Sequence, residues 1–152
     1  MWGIIYDAIR EAIFSDKVYV LKEIVNEPKT IKEIAESVDM PYPTVRKYMK
    51  WAVEKGLVIV AGTKKVGSVL AEKWLLTFVP EVVDVEEKDL ILRVKIKIKM
   101  RKEFCEHICS LKCSNFERVK KGEVTPFRII TIEKRGFTGD EECKFEDFLD
   151  IS

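Results

Sequence analysis

Glutamine is absent from the 152-residue chain and only two asparagines occur, whereas lysine and glutamate are abundant. Proteins of hyperthermophiles are enriched in lysine and glutamate and avoid thermolabile amide side chains. The composition is therefore typical of a thermophile protein. This bears on the cysteines, because intracellular proteins of hyperthermophiles are an exception to the rule that cytosolic thiols stay reduced.

The chain has no apolar run of the roughly 18 residues that a membrane-spanning helix needs. Its first residues, MWGIIYDAIREAIF, include acidic side chains and no basic leader, which is unlike a signal peptide. A hydrophobic content of 47% with 35% charged residues is typical of a globular protein. We expect a cytoplasmic protein with no membrane partner.

Side chains for catalysis are scarce. The only histidine is His107, and the sequence contains no phosphate-binding glycine loop, no Ser/His/Asp set and no evident pair of catalytic carboxylates. We therefore predict that the protein is not an enzyme.

The N-terminal half contains helical patterns that change to strand patterns. Residues 1–14 form an amphipathic helix by their apolar spacing, and a second helix follows. Thr30 and Glu33 have the spacing of a capping box at the start of the third helix. Pro43 suits the first position of a fourth helix, and Gly56 suits its left-handed end. A short strand LVIV, a hairpin tip AGTKKVGS and a return strand VLAEKWLLTF come next.

The segment TIKEIAESVDMPYPTVRKYMKWAVEKGLV, with the helix before it and the hairpin after it, resembles small prokaryotic winged helix-turn-helix transcription regulators. The resemblance covers residues 15–79 and predicts a DNA-binding domain over 1–80. It implies double-stranded DNA as the partner and a two-fold dimer, for which the additional helix 1–14 is the candidate interface. The same helix also fits packing on its own domain. Trp51 departs from the family pattern and predicts an apolar contact with a partner or with the following domain.

Local charge supports a DNA interface, although the whole chain carries a net charge of only +1. Residues 40–75 hold seven basic and two acidic side chains, a local net charge of +5, and phosphate neutralisation supplies much of the affinity for DNA. A recognition helix reads base edges with its exposed N-terminal residues. The predicted contacts from this helix are Thr44, Arg46, Lys47 and Lys50, and those from the wing are Lys64 and Lys65. The alternatives are an ordinary solvated face and a winged helix that binds only protein.

Residues 81–152 are predicted to form a second, small α+β domain. The acidic segment VPEVVDVEEKD fits a linker, and LILRVKIKIKM alternates as a half-buried strand with a cationic outer face, which also suits a protected edge strand. In a later strand, TPFRIITIEKRGF, the predicted inward side chains are Phe127, Ile129 or Ile130, and Ile132. The whole chain is thus expected to be an α+β protein.

The segment CEHICSLKC, within CEHICSLKCSNFERVKKGEVTPFRIITIEK, partly resembles the cluster region of ferredoxin-type electron carriers, but the C-x-x-C pair that precedes such a run is absent. Four thiols and one imidazole are sufficient for a zinc site or an iron–sulfur cluster. The candidate ligands are Cys105, Cys109, Cys113 and Cys143, with His107 as a substitute for one of them. A disulfide or redox-active pair, and a plain apolar helix face with no cofactor, are the alternatives.

These patterns predict a DNA-binding transcriptional regulator whose C-terminal domain responds to a metal, an iron–sulfur cluster or redox state. The alternative is a winged-helix adaptor or electron-transfer module that docks on a protein partner without binding DNA.

Overall fold

The computed structural model describes residues 2–101, 121 and 127–136. Within these residues it has four helices and five strands, all strands antiparallel and arranged in two sheets, so the predicted α+β class is confirmed. The elements are α1 Trp2–Ile13, α2 Lys17–Glu23, α3 Ile31–Val38, α4 Tyr42–Glu54, β1 Val58–Val66, β2 Val69–Leu76, β3 Phe78–Lys88, β4 Ile91–Met100 and β5 Phe127–Arg135. No helix in the described part of the chain is long and apolar enough to cross a membrane.

Helices α3 and α4 begin and end where local chemistry favours it. The Thr30 hydroxyl accepts a hydrogen bond from the Glu33 backbone N–H at 3.2 Å, and the Glu33 carboxylate accepts one from the Thr30 N–H at 3.0 Å. This is the predicted capping box. Helix α4 starts after Pro41, has Pro43 in its first turn, and is followed by Gly56 at a φ of 73°. That left-handed conformation is accessible to glycine at little cost.

Strands β1 and β2 form a two-stranded hairpin that is longer than the sequence pattern predicts. The predicted tip spanned eight residues, AGTKKVGS, but the strands continue to Val66 and Val69 and leave only a two-residue turn. The ladder continues because the register shifts between Val60 and Thr63, where Gly62 has a φ of +124°. Val60, Val66 and Val69 are exposed, so the outer half of the hairpin has no apolar core of its own.

The acidic segment predicted to be a linker is instead strand β3, which lies beside β4 in a three-stranded sheet of order β3-β4-β5. Phe78 and Pro80 are buried on one face, and Glu81 on the other face forms an ion pair of 3.1 Å with Lys99. The acidic residues are thus cross-strand partners of the basic strand and not a solvated connection. Strand β4 is the central strand of this sheet. The prediction that its lysines protect a sheet edge is therefore wrong. The predicted division at residue 80 stays a prediction.

In strand β5, Phe127 lies on the outer face of the sheet and not on the inner face as predicted. Ile130 and Ile132 lie opposite Ile96 and Val94, so they share the buried face of the sheet, and Ile132 is fully buried. Phe127 therefore lies on the outer face, where it is 55% exposed and its ring centroid is 4.3 Å from the Lys97 ammonium. The aromatic ring is placed by a cation–π contact and not by the core.

Helix α1 supplies the cover for the inner face of this sheet. Its apolar side is buried within the chain: Ile5, Ala8, Ile9, Ala12 and Ile13. On the adjoining edge, the Tyr6 hydroxyl donates to the Thr131 carbonyl at 2.9 Å, and the Arg10 guanidinium donates to the Glu133 carbonyl at 3.2 Å. The apolar stripe proposed for a dimer contact is therefore already covered by the protein's own sheet. Homodimer formation stays a prediction, without this stripe as its basis.

Replacing Ile13 by alanine tests this packing. Ile13 is 1% exposed, so the change should lower the free energy of unfolding by about 2–5 kcal/mol through lost burial and a residual cavity. The matched control is Ile4→Ala in the same helix, because Ile4 is 56% exposed and should stay within about 0.5 kcal/mol of the wild type. Urea unfolding measures both, and equal losses at the two positions would contradict the assigned face of α1.

Candidate nucleic-acid interface

Helix α4 separates its side chains into a buried and a cationic side. Val45, Met49 and Ala52 are fully buried against the other helices. Arg46, Lys47 and Lys50 are all exposed, and the 100° step of a helix places them together on the side opposite the buried stripe. Three cations one turn or less apart on a solvated surface form a suitable site for phosphate groups.

Thr44 differs from the other predicted helix residues because it is half-buried and lies beside the cationic side, not at its centre. The structure instead exposes Tyr42, the first residue of α4, at 48%. Sequence reasoning did not include Tyr42 among the candidate contacts. Its position between two prolines at the start of the helix was the signal that could have identified it.

The hairpin provides the other two predicted residues, and both are exposed. Lys65 has no ion-pair partner among the described residues for which contacts are given, whereas the Lys64 ammonium lies 3.3 Å from the Glu33 carboxylate. Because the Lys64 and Glu33 side chains are 49% and 35% exposed, this ion pair is weak. It links the outer part of the hairpin to the start of α3. Lys64 can exchange the Glu33 carboxylate for another anion at little cost.

Trp51 is half-buried and its ring lies against a side chain of α2, while a contact of its remaining surface with a partner stays a prediction. The Lys17 ammonium of α2 lies 4.8 Å from the centroid of the Trp51 ring and 5.5 Å from that of Tyr48. Lys17 also lies 3.5 Å from the Glu11 carboxylate. The indole ring therefore packs on α2, where it helps to fix α4 relative to the preceding helix.

The pKa of the Glu33 carboxyl group lies below its ordinary value of 4.5. The main cause is the hydrogen bond from the Thr30 backbone N–H, which slight burial opposes and which the Lys64 ammonium assists. Both contacts stabilise the ionised carboxylate more than the neutral acid. The same side chain therefore caps α3 and holds Lys64.

The predicted metal ligands Cys105, Cys109, Cys113, Cys143 and His107 lie outside the described residues. Within the described ranges, no group of three or more histidine, cysteine, aspartate or glutamate side chains is arranged to hold a metal ion. The zinc and iron–sulfur predictions therefore stay predictions.

The chain matches no protein-family model, and a search of curated proteins finds no significant match.

Acid should weaken the fold partly through Glu33. A lowered folded-state pKa contributes stability that is fully present above the ordinary pKa and is lost as the pH falls through the lowered pKa. Glu33→Gln should therefore show a smaller fall in unfolding free energy than the wild type between about pH 6 and about pH 3. Glu36→Gln, an exposed position on the same helix, is the control. Identical pH profiles for Glu33→Gln and the wild type would rule out this contribution.

Proposed function

We propose that the protein is a winged helix-turn-helix transcriptional regulator that binds double-stranded DNA. The observation that carries the proposal is the exposed cationic side of α4, formed by Arg46, Lys47 and Lys50. The element order supports it, since the three helices α2–α4 are followed directly by a two-stranded hairpin with two further exposed lysines.

Different residues have different tasks in this proposal. Helix α4 lies in the major groove, where the Arg46 guanidinium can donate two hydrogen bonds to one base edge. Lys47 and Lys50 neutralise phosphates along the groove, and Lys64 and Lys65 of the hairpin neutralise phosphates beside it. On binding, Lys64 exchanges the Glu33 carboxylate for a phosphate, so this contact costs the protein one weak ion pair.

A second candidate is a protein-binding adaptor, and one observation favours it. Val66, Val69 and Leu70 at the end of the hairpin are 43%, 64% and 67% exposed. Exposed apolar residues in one place are typical of a protein-docking surface. The two functions differ in salt dependence, because binding through phosphates weakens steeply as the salt concentration rises.

Single substitutions distinguish the tasks of the cationic residues. Binding to mixed-sequence duplex DNA can be measured by fluorescence anisotropy. Lys47→Ala and Lys64→Ala should each weaken binding and reduce the magnitude of the negative slope of log K (association) against log salt by about 1. After a preferred sequence has been selected, Arg46→Ala should cost about 1–3 kcal/mol on it and relax the base preference.

The matched control is Lys95→Ala, an exposed lysine in the middle of β4, which removes the same charge from the other sheet. It should leave affinity and slope unchanged. No salt-dependent DNA binding by the wild type, or equal losses at Lys95 and Lys47, would reject DNA binding by α4 and favour the adaptor.

The regulator is also proposed to respond to a metal, an iron–sulfur cluster or redox state through its four cysteines. Elemental analysis of protein purified without air should find stoichiometric zinc, or iron with sulfide. Thiolate ligation requires deprotonation, so metal binding should release protons and raise thermal stability. Absence of metal and of any disulfide, together with unchanged DNA affinity of Cys109→Ser in oxidising and reducing buffers, would reject the sensing function.

A further inference from the structure

The base of the β1–β2 hairpin is closed by Thr77, which follows β2 and is fully buried. Its N–H donates to the Leu57 carbonyl at 2.9 Å, and its hydroxyl donates to the same carbonyl at 3.0 Å. Leu57 directly precedes β1. These hydrogen bonds hold the two ends of the hairpin together beside the end of α4.

Arg101, which directly follows β4, joins this base to the rest of the protein. Its backbone N–H donates to the Thr77 carbonyl at 3.0 Å, and its Nε donates to the Leu76 carbonyl at 2.8 Å. An Nη2 hydrogen bond reaches the carbonyl of Val25, which follows α2. The Leu76 N–H also donates directly to the Ile24 carbonyl at 2.9 Å, and the Arg101 side chain joins both of these segments to the central strand of the other sheet.

The direction of the hairpin depends strongly on such contacts at its base. Its outer half is exposed on both faces and buries little apolar surface. Further along, it is held by backbone hydrogen bonds between Lys29 and Trp74 and by the exposed Lys64–Glu33 ion pair. A guanidinium group has its donors in a rigid plane, and its charge-assisted hydrogen bonds are roughly twice as strong as neutral ones. Arg101 therefore restricts the angle at which the hairpin leaves the helices.

We propose that Arg101 is a positioning residue for DNA binding, which holds Lys64 and Lys65 at the orientation in which hairpin and α4 contact the same duplex. This rests on the proposed DNA-binding function. Arg101 contacts no DNA itself and acts through the two hairpin lysines. Through Arg101, the three-stranded sheet determines whether the hairpin phosphate contacts form.

A double-mutant cycle tests this dependence. In the full-length protein, Arg101→Leu should reduce the magnitude of the negative slope of log K (association) against log salt by about 2. The Lys64→Ala/Lys65→Ala variant should show the same loss, because each lysine–phosphate contact contributes about 1. In the background of that lysine variant, Arg101→Leu should cause no further change in affinity or slope. Such non-additivity is the signature of residues that act through one another. A purely structural role would change the unfolding midpoint and leave the slope as it is.

Arg93→Leu is the matched control, because this β4 arginine bonds to Glu133 at 2.8 Å within its own sheet and contacts no hairpin residue among the described contacts. It should leave the slope unchanged. If Arg101→Leu does not fold, Arg101→Lys replaces it and should show a smaller loss in slope that is again absent in the lysine background. Additive losses, or an unchanged slope in both Arg101 variants, would overturn the positioning role. Absence of DNA binding by the wild type would instead reject the proposed function itself.

Discussion

The packing of α1 on the three-stranded sheet is the contact on which the rest of the structure depends. Ile9 and Ile13 of α1 lie beside Ile96 on the inner face of the sheet, and each large apolar side chain fully buried there contributes about 1.5–3 kcal/mol. The helix also gives hydrogen-bond partners to the outer carbonyls of β5 at Thr131 and Glu133. Two carbonyl groups of this strand are therefore already bonded within the chain.

The exposed cations of α4 form one group because the opposite side of the helix is packed against the core. Val45 and Met49 fix the rotation of α4 about its axis, so Arg46 and Lys50 face outward as one group. A binding surface held by a packed helix loses little conformational entropy on association. The hairpin has no such core, and contacts at its base determine where its lysines point. Cys105, the first of the four cysteines, is four residues after Arg101 in the sequence.

Local signals in the sequence were sufficient for α3, α4 and the presence of the hairpin, but not for its length. The capping box at Thr30 and the left-handed Gly56 depend only on neighbouring residues, so they could be predicted without the fold. The errors concern residues whose position depends on distant partners. The acidic segment around Glu81 suggested a linker, because its ion pair with Lys99 is not visible in the sequence. Phe127 was predicted on the wrong face, because the register with β4, and not hydrophobicity, determines its side of the sheet. Nor could the sequence indicate that Arg101 bonds to the end of α2.

We expect α1 to unite the proposed DNA-binding surface and the three-stranded sheet in one cooperative structure. Native-state hydrogen exchange of backbone amides in α4 and in β4, followed by NMR at increasing urea, tests it directly, because exchange through global unfolding reports a common opening free energy. We expect the slowest amides of both elements to exchange with the same free energy and the same urea dependence. Exchange of the β4 amides at a much lower free energy than those of α4 would show that the sheet opens on its own and would contradict the account.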